Sequence, residues 1–170
     1  MNDTATPAND VPDRRVLCSD TRCEMTWIVM PGQANALGTV FGGQIMAWID
    51  VCAAISAQRF ARSVVVTASM DSLSFKAPVR QGDVVVLQSS VNWAGSSSME
   101  VGVRVEAEDP LTGARSHTSS AYLTFVALDA DRKKAIVPTL VPETAVDHRR
   151  VLQAQRRREQ RLALREGHPS

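Results

Sequence analysis

Asp50 is the only charged residue between Glu24 and Arg59, and it lies inside the apolar run Ile45-Met46-Ala47-Trp48-Ile49-Asp50-Val51-Cys52-Ala53-Ala54-Ile55. The run is too short to span a bilayer, and its mixture of small and long apolar side chains reads as a helix wrapped by the rest of a domain. Burying a carboxylate without partners disfavours its ionised form, a cost that chains carry mostly where the acid has chemistry to do. The plainer alternative turns Asp50 toward water or toward a helix N-terminus. Gly43 stands seven residues earlier, beside Gly42, and Gly38 four residues before that pair. Glycines that open a helix offer N–H groups without intrahelical partners at the positive end of the macrodipole, where an oxygen gaining negative charge could be held. No Cβ obstructs its approach. From Gly43 to Asp50 is about two turns, roughly 10 Å along the axis, too far for one helix to bring both groups to one small reacting centre. The spacing points to the acid of one subunit working with the glycine end of another, and so to an obligate dimer.

The elements that must position these groups follow from the rest of the chain. With 170 residues and 44% hydrophobic content there is room for one domain with a good core and short extensions. The 19 Lys and Arg nearly balance the 18 Asp and Glu, so overall charge favours neither nucleic acid nor an anionic membrane. Charge is sparse through the first helix and dense after Asp129, ending in the basic stretch Arg149 to Arg165. Cys18, Cys23 and Cys52 make an odd count behind a start with no apolar signal segment, which fits a reduced, cytoplasmic protein. No second Cys or His pair completes a metal set with Cys18 and Cys23, and the sequence gives no sign of a Cys/His or Ser/His catalytic pair.

Residues 1–16 are rich in Asp, Asn, Pro and Thr and read as a disordered extension. Glu24 to Met30 reads as a first strand, Gln33 to Val40 as a loop, and Phe41 to Phe60 as the helix. Strands are expected at Val64–Phe75, Val84–Trp93, Met99–Glu108 and Arg115–Leu128, separated by turn signals at Pro78 with Gly82-Asp83, at Gly95-Ser96, and at Asp109-Pro110 with Gly113. Short links predict antiparallel hairpins, a four-stranded meander with the first strand joining an edge. The expected fold class is α+β, an antiparallel sheet curled around a long central helix. Beyond Pro138 and Pro142, a basic helix is expected from about Glu143 to Arg165. It reads as a solvated surface helix, as a dock for a partner subunit, or as part of a phosphate site.

Asn35-Ala36-Leu37-Gly38, Phe41-Gly42-Gly43, Met46 and Asp50, then Val66-Thr67, Phe75, Pro78-Val79, Gly82-Asp83 and Phe125-Val126-Ala127-Leu128-Asp129, together resemble the hotdog-fold acyl-coenzyme A thioesterases of the bacterial YciA and mammalian cytosolic type. The resemblance covers about Glu24 to Asp129. It implies a hotdog domain at 17–130, followed by a linker and basic C-terminal helix at 131–170. It also implies a dimer whose two sheets merge, often a trimer of dimers (a hexamer), with two active sites drawing on both chains. The reaction implied is hydrolysis of fatty acyl-CoA to free fatty acid and CoA, a part of lipid metabolism. It needs no cofactor, since coenzyme A belongs to the substrate. The family's catalytic acid falls on Asp50 and its catalytic asparagine on Asn35.

A thioester carbonyl needs an attacking oxygen, a place for the oxyanion and little help for its stable thiolate leaving group. Asp50 would serve as general base on water, or attack to give a transient anhydride. Gly43, with Gly42, would hold the oxyanion. Asn35 would orient water or substrate, or merely shape the loop before Gly38. Phe41 stands where some relatives have His, implying a more apolar pocket mouth. Lys76, Arg80 and Arg104 are candidate cations for the CoA phosphates, and Ser96, Ser97 and Ser98 a candidate hydrogen-bonding loop. Asp71 is a rival carboxylate that reads as structural. No metal site, no nucleotide-hydrolase phosphate loop and no membrane insertion is expected. Two other readings stand beside the enzyme: a non-catalytic acyl-CoA-binding hotdog module, and a nucleic-acid binder using Arg149 to Arg165. For the second, no aromatic stacking platform accompanies the charge.

Overall fold

A computed structural model describes residues 14–166, and residues 1–13, most of the extension expected at 1–16, lie outside it. The described chain begins in strand β1 (Arg15–Leu17), followed by β2 (Cys23–Ile28), helix α1 (Gly42–Ala61), β3 (Val64–Phe75), β4 (Val84–Ala94), β5 (Ser98–Glu108), β6 (Arg115–Leu128), β7 (Thr139–Val141) and helix α2 (Ala145–Glu166). Arg14 and the start of β1 are ordered by the parallel pairing of β1 with β7, whose register runs from Arg15↔Thr139 to Leu17↔Val141. Strands of three residues carry no readable alternation, so neither was expected from the sequence.

The helix forms because its apolar residues recur at helical spacing. Ile45, Trp48, Ile49, Cys52, Ala53, Ser56, Ala57 and Phe60 are buried along one face. It stops where Arg62 turns left-handed at φ 55°, its N–H donating to the Gln58 carbonyl at 2.8 Å. Five strands make the main sheet in the order β2-β4-β5-β6-β3, with every pairing antiparallel.

The expected meander is correct for β4-β5-β6 and wrong for β3. That strand crosses to the far side and pairs with β6, from Val64↔Leu128 to Phe75↔Ser119. The link between β3 and β4 is not a hairpin because it is held elsewhere. Val79 accepts the Val40 N–H at 2.9 Å, and Arg80 bridges to Thr39, so the link runs past the start of the helix. The first strand does join an edge, beside β4.

One face of the sheet packs on α1. Val85, Leu87 and Val91 of β4, Val101, Val103 and Val105 of β5, and Ala121, Leu123, Phe125 and Ala127 of β6 share a core with the buried helix face. Trp27 of β2 sits 6.1 Å from Trp48 of α1, ring centre to ring centre. The alternate residues of the same strands face away and carry a different chemistry.

That outer face is where α2 lands, and it is seated by arginines more than by apolar contact. Glu100, only 2% exposed, receives Arg157 Nη2 at 2.7 Å and Nε at 3.1 Å, with Asn92 Nδ2 at 3.3 Å. The same guanidinium lies 3.6 Å from the Tyr122 ring centre, and that of Arg158 lies 5.0 Å from the Trp93 ring. Arg161 pairs with Asp71 of β3, which gives the rival carboxylate a structural partner. Thr144 and Asp147 cap the helix reciprocally, Asp147 accepting the Thr144 N–H at 3.0 Å and Thr144 Oγ1 accepting the Asp147 N–H at 3.2 Å. The helix is seated on its own sheet, an arrangement that none of the three readings of the sequence named.

Two predictions follow from burial. Loss of hydration pushes the Cys18 thiol up to about 11, with Asp147 and Glu143 adding to the rise, and burial likewise raises Cys52. Both remain thiols at neutral pH, so a disulfide reagent should label them only as the protein unfolds, at once in guanidinium and slowly without it. Fast native labelling of either, located by mass spectrometry, would contradict the burial. Arg157→Leu strands the Glu100 carboxylate and should lower the unfolding free energy by about 3 kcal/mol, while Glu100→Leu with Arg157→Leu recovers much of the loss. Denaturant titration reads both. An Arg157→Leu protein as stable as the parent would mean that the pair does not seat α2.

Candidate functional site

The loop before α1 is built by Asn35. Its Oδ1 accepts the Leu37 N–H at 2.9 Å and the Thr39 N–H at 3.3 Å, and its Nδ2 donates to Thr39 Oγ1 at 3.0 Å. The backbone closes the same turn, Asn35 N–H to Thr39 O at 2.8 Å and Gly38 N–H to Asn35 O at 2.9 Å. Gly38 has φ +73°, a conformation that favours glycine. Within one protomer, therefore, the Asn35 side chain is engaged in shaping the loop.

The loop delivers Phe41 to the helix start, where its carbonyl accepts the N–H groups of Gln44 at 2.9 Å and Ile45 at 3.3 Å. Gly42 and Gly43 occupy the positions whose N–H groups an α-helix leaves without internal acceptors, and both are exposed. A methyl added at Gly43 would meet nothing within 4 Å, whereas one at Gly42 would touch the Phe75 ring at 3.4 Å. Phe41 itself is 54% exposed beside this opening.

A cavity of about 360 Å³ lies at the same end of the helix, lined by Gly42, Ile45, Phe75, Lys76 and Thr118 among others. The structure thus brings Gly42 and Lys76 of the expected set to one cavity. Thr39, the partner of Asn35, lines it as well. Arg80 lies in the exposed link that bridges to Thr39, its N–H held by Asp83 Oδ2 at 2.7 Å.

The remaining candidates lie elsewhere in the protomer. Arg104 sits on the outer sheet face, bonded to Glu106 at 2.7 Å, because alternate β5 residues point away from α1. It faces the groove between sheet and α2, along with Arg157. Ser96, Ser97 and Ser98 form the β4–β5 turn. There the Ser96 and Ser97 carbonyls each accept at 2.9 Å, from the Val137 and Ala127 N–H groups, and the Ser98 carbonyl accepts from Gly95 at 2.8 Å. That loop is occupied as a structural joint.

Asp50 is half-buried, and its Oδ1 accepts a hydrogen bond from Thr67 Oγ1 at 2.8 Å. It shares its helix face with Gly43, Met46, Ala47 and Val51, all exposed. The sheet covers one face of α1, and the face bearing Asp50 is left open with Asp50 as its only charge. Beside it, the edge strand β3 exposes Val64, Val66 and Phe75. Thr67 was not singled out by the sequence as a site residue, although it stands in the quoted Val66-Thr67 pair. A lone strand threonine carries no chemical pattern until its neighbour across space is known. Among the described residues no group of three His, Cys, Asp or Glu is placed to hold a metal, and no helix is long and apolar enough to cross a membrane.

The thioesterase superfamily pattern matches residues 37–114. The chain is 46% identical to an uncharacterised acyl-CoA thioester hydrolase, YkhA of Bacillus subtilis (strain 168), over 79% of this chain and 78% of that one. An acyl-CoA hydrolase from Staphylococcus aureus, solved with butyryl coenzyme A, coenzyme A and coenzyme A disulfide, superposes with a TM-score of 0.85 at 38% identity, covering 91% of this chain and 94% of that one. Other structures of the S. aureus enzyme carry alanine in place of an aspartate, a threonine or an asparagine. An apo-hexameric acyl-CoA thioesterase superposes at 0.86 with 40% identity, covering 88% and 96%. The family match, the shared length and the five-stranded sheet on a central helix agree, and the chain belongs to the thioesterase superfamily as a hotdog-fold relative of the acyl-CoA thioester hydrolases.

Proposed function

We propose that this protein hydrolyses fatty acyl-CoA to free fatty acid and CoA, with Asp50 as general base on water in a site shared by two protomers. The observation that carries the reading is the open face of α1: a single carboxylate, oriented by Thr67, on a surface that is otherwise uncharged and begins with Gly43. Apolar residues on that face and along the β3 edge make a surface that a second copy of the chain would cover. Pairing two such faces would place the helix start of one protomer near the acid of the other, which the two-turn separation within one helix prevents. The hexameric relative supports assembly beyond a dimer.

In this arrangement the N–H groups of Gly43 and Gly42 hold the oxyanion, and Asp50 accepts the proton of the attacking water. Thr67 is a positioning residue, since it fixes one carboxylate oxygen and leaves the other for water. Attack by Asp50 itself, through an anhydride, uses the same geometry. In the S. aureus structures the three residue types replaced by alanine lie at the same intervals along that chain as Asn35, Asp50 and Thr67 do here, which supports a functional set of three. Asn35 would then act at the edge of the site while holding the loop. Of the cations, Lys76 and Arg80, near the helix start, are the better candidates for the CoA phosphates. Arg104 and the Ser96–Ser98 turn would contribute only across a protomer boundary.

The chemistry calls for no cofactor. The basic helix offers little to a nucleic acid, because Arg157, Arg158 and Arg161 are engaged with the sheet. We take 17–130 as the catalytic domain, with α2 as its outer brace. Three buried free cysteines suit a reducing cytoplasm.

Asp50→Ala should fold and assemble as the parent does and lose about 10²- to 10⁴-fold in turnover of acyl-CoA, read as free thiol. Near-normal turnover would remove Asp50 from the mechanism, and a parent that binds acyl-CoA without releasing thiol would make the protein a binding module. Thr67→Ala should lose less, and Asn35→Ala should be impaired. Gly43→Ala introduces no clash within a protomer. Full stability with at least about tenfold lower kcat is expected, because the methyl would crowd the oxyanion contact. Unchanged kcat in a well-folded Gly43→Ala protein would move the oxyanion elsewhere.

A further inference from the structure

A groove of about 880 Å³ runs on the side of the sheet away from α1, between the first turns of α2 and the outer faces of β2, β4, β5 and β6. Alternation along β4 decides what faces it. Ser89 donates to the Cys52 carbonyl of α1 at 2.8 Å and so points inward, Val91 joins the same inner core, and Ser90 between them points outward. Ser90 is 8% exposed, lines the groove, and has no side-chain hydrogen bond among the described residues. The unpartnered hydroxyls that are closed to solvent are those of Thr118, Ser119 and Thr124, so that of Ser90 is within reach of a ligand in the groove.

The walls are cationic. Arg22, Arg104, Arg149, Arg150 and Arg157 line the groove against the carboxylates of Glu24 and Asp147. Both acids are in use, Glu24 accepting from Gln88 Nε2 at 2.8 Å and Asp147 capping α2. Arg157 is held by Glu100 and Arg104 by Glu106, but Arg150 reaches Asp147 only at 4.0 Å. Arg22 and Arg149 enter no ion pair among the described residues. Val146, Arg149, Arg150, Gln153 and Arg157 recur at helical spacing along the face of α2 that borders the groove, with Arg150 and Arg157 roughly 10 Å apart along the axis. Solvated arginines would explain the charge of the helix alone. They do not explain a hollow beneath them with an unpaired hydroxyl on its floor, where gathered positive charge raises the potential and draws anions.

We propose that this groove is a second ligand site, for a small molecule carrying several linked phosphate groups, with Arg149 and Arg150 as its main cations, Arg22 and Arg104 beside them and the Ser90 hydroxyl beneath. A single phosphate cannot use cations spread over that length, whereas linked phosphates can, and the guanidinium fork matches phosphate oxygens in pairs. The sheet lies between this groove and the cavity at the start of α1, so the site is separate from the acyl-CoA site and does not depend on the hydrolase reading.

The test is calorimetric titration of the whole chain with inorganic tripolyphosphate and with orthophosphate at physiological salt. Lys76→Met with Arg80→Met provides a second host, in which binding near the start of α1 is removed. One tripolyphosphate per chain should still bind to that host, with orthophosphate at least about tenfold weaker. There, Arg149→Gln with Arg150→Gln should weaken tripolyphosphate about tenfold or more, and Ser90→Ala by a smaller factor, while the melting temperature of the free protein stays as it was. Arg156→Gln with Arg158→Gln removes the same charge from α2 outside the groove and should leave the affinity unchanged. No binding at physiological salt, binding lost in the second host, or equal losses from the two arginine pairs would overturn the assignment. Full affinity after Arg149→Gln with Arg150→Gln, or after Ser90→Ala, would overturn it as well.

Discussion

The fold turns on the uneven covering of one helix. Twenty residues of α1 bury one face completely against the sheet and leave the other bare, apart from a carboxylate. An apolar strip of that size beside an unpaired strand edge is unfavourable in water, and an acid within it forgoes part of its hydration. Contact with another copy of the chain, as proposed, would meet both problems at once. Stability of the assembly and completion of the site would then be one event. The Thr67 hydroxyl fits this view, because it supplies the carboxylate with one fixed partner before any other surface arrives.

The opposite side of the sheet follows other rules. Its buried residues include Ser90, Asn92, Glu100 and Thr124, and the helix laid over them is rich in arginine. Planar guanidinium groups can bond a carboxylate edge-on and an aromatic ring face-on at the same time, as Arg157 does with Glu100 and Tyr122. Such contacts fix position and register, while the inner core supplies most of the burial. The two faces thus divide the work between them, apolar packing inward and directional charge outward.

Much of this could be read from the chain. The boundaries of β3 and β6 match their sequence signals, and α1 is displaced by one residue, because long alternating or helical apolar patterns are dictated locally. Asp50 and the glycine pair stood out because their surroundings are so uniform. Sheet order was not legible, since the β3–β4 link has the composition of a hairpin and owes its path to Val40 and Thr39. The Thr67 contact with Asp50 was missed for a related reason. A hydroxyl in a strand acquires meaning only from a partner across space. The glutamate under α2 likewise looked like one more strand charge until Arg157 was placed against it.

The left-handed turn at Arg62 has a consequence of its own. Only Arg62 and Ser63 separate the end of α1 from the start of β3, so helix and edge strand form a short, stiff α–β elbow. Asp50 and Thr67 lie on its two arms, and their contact is local in chain terms, closing a small loop. The acid is therefore preset by a contact that closes only a short loop. A lesion at the elbow would misalign it while leaving the β4-β5 hairpin intact.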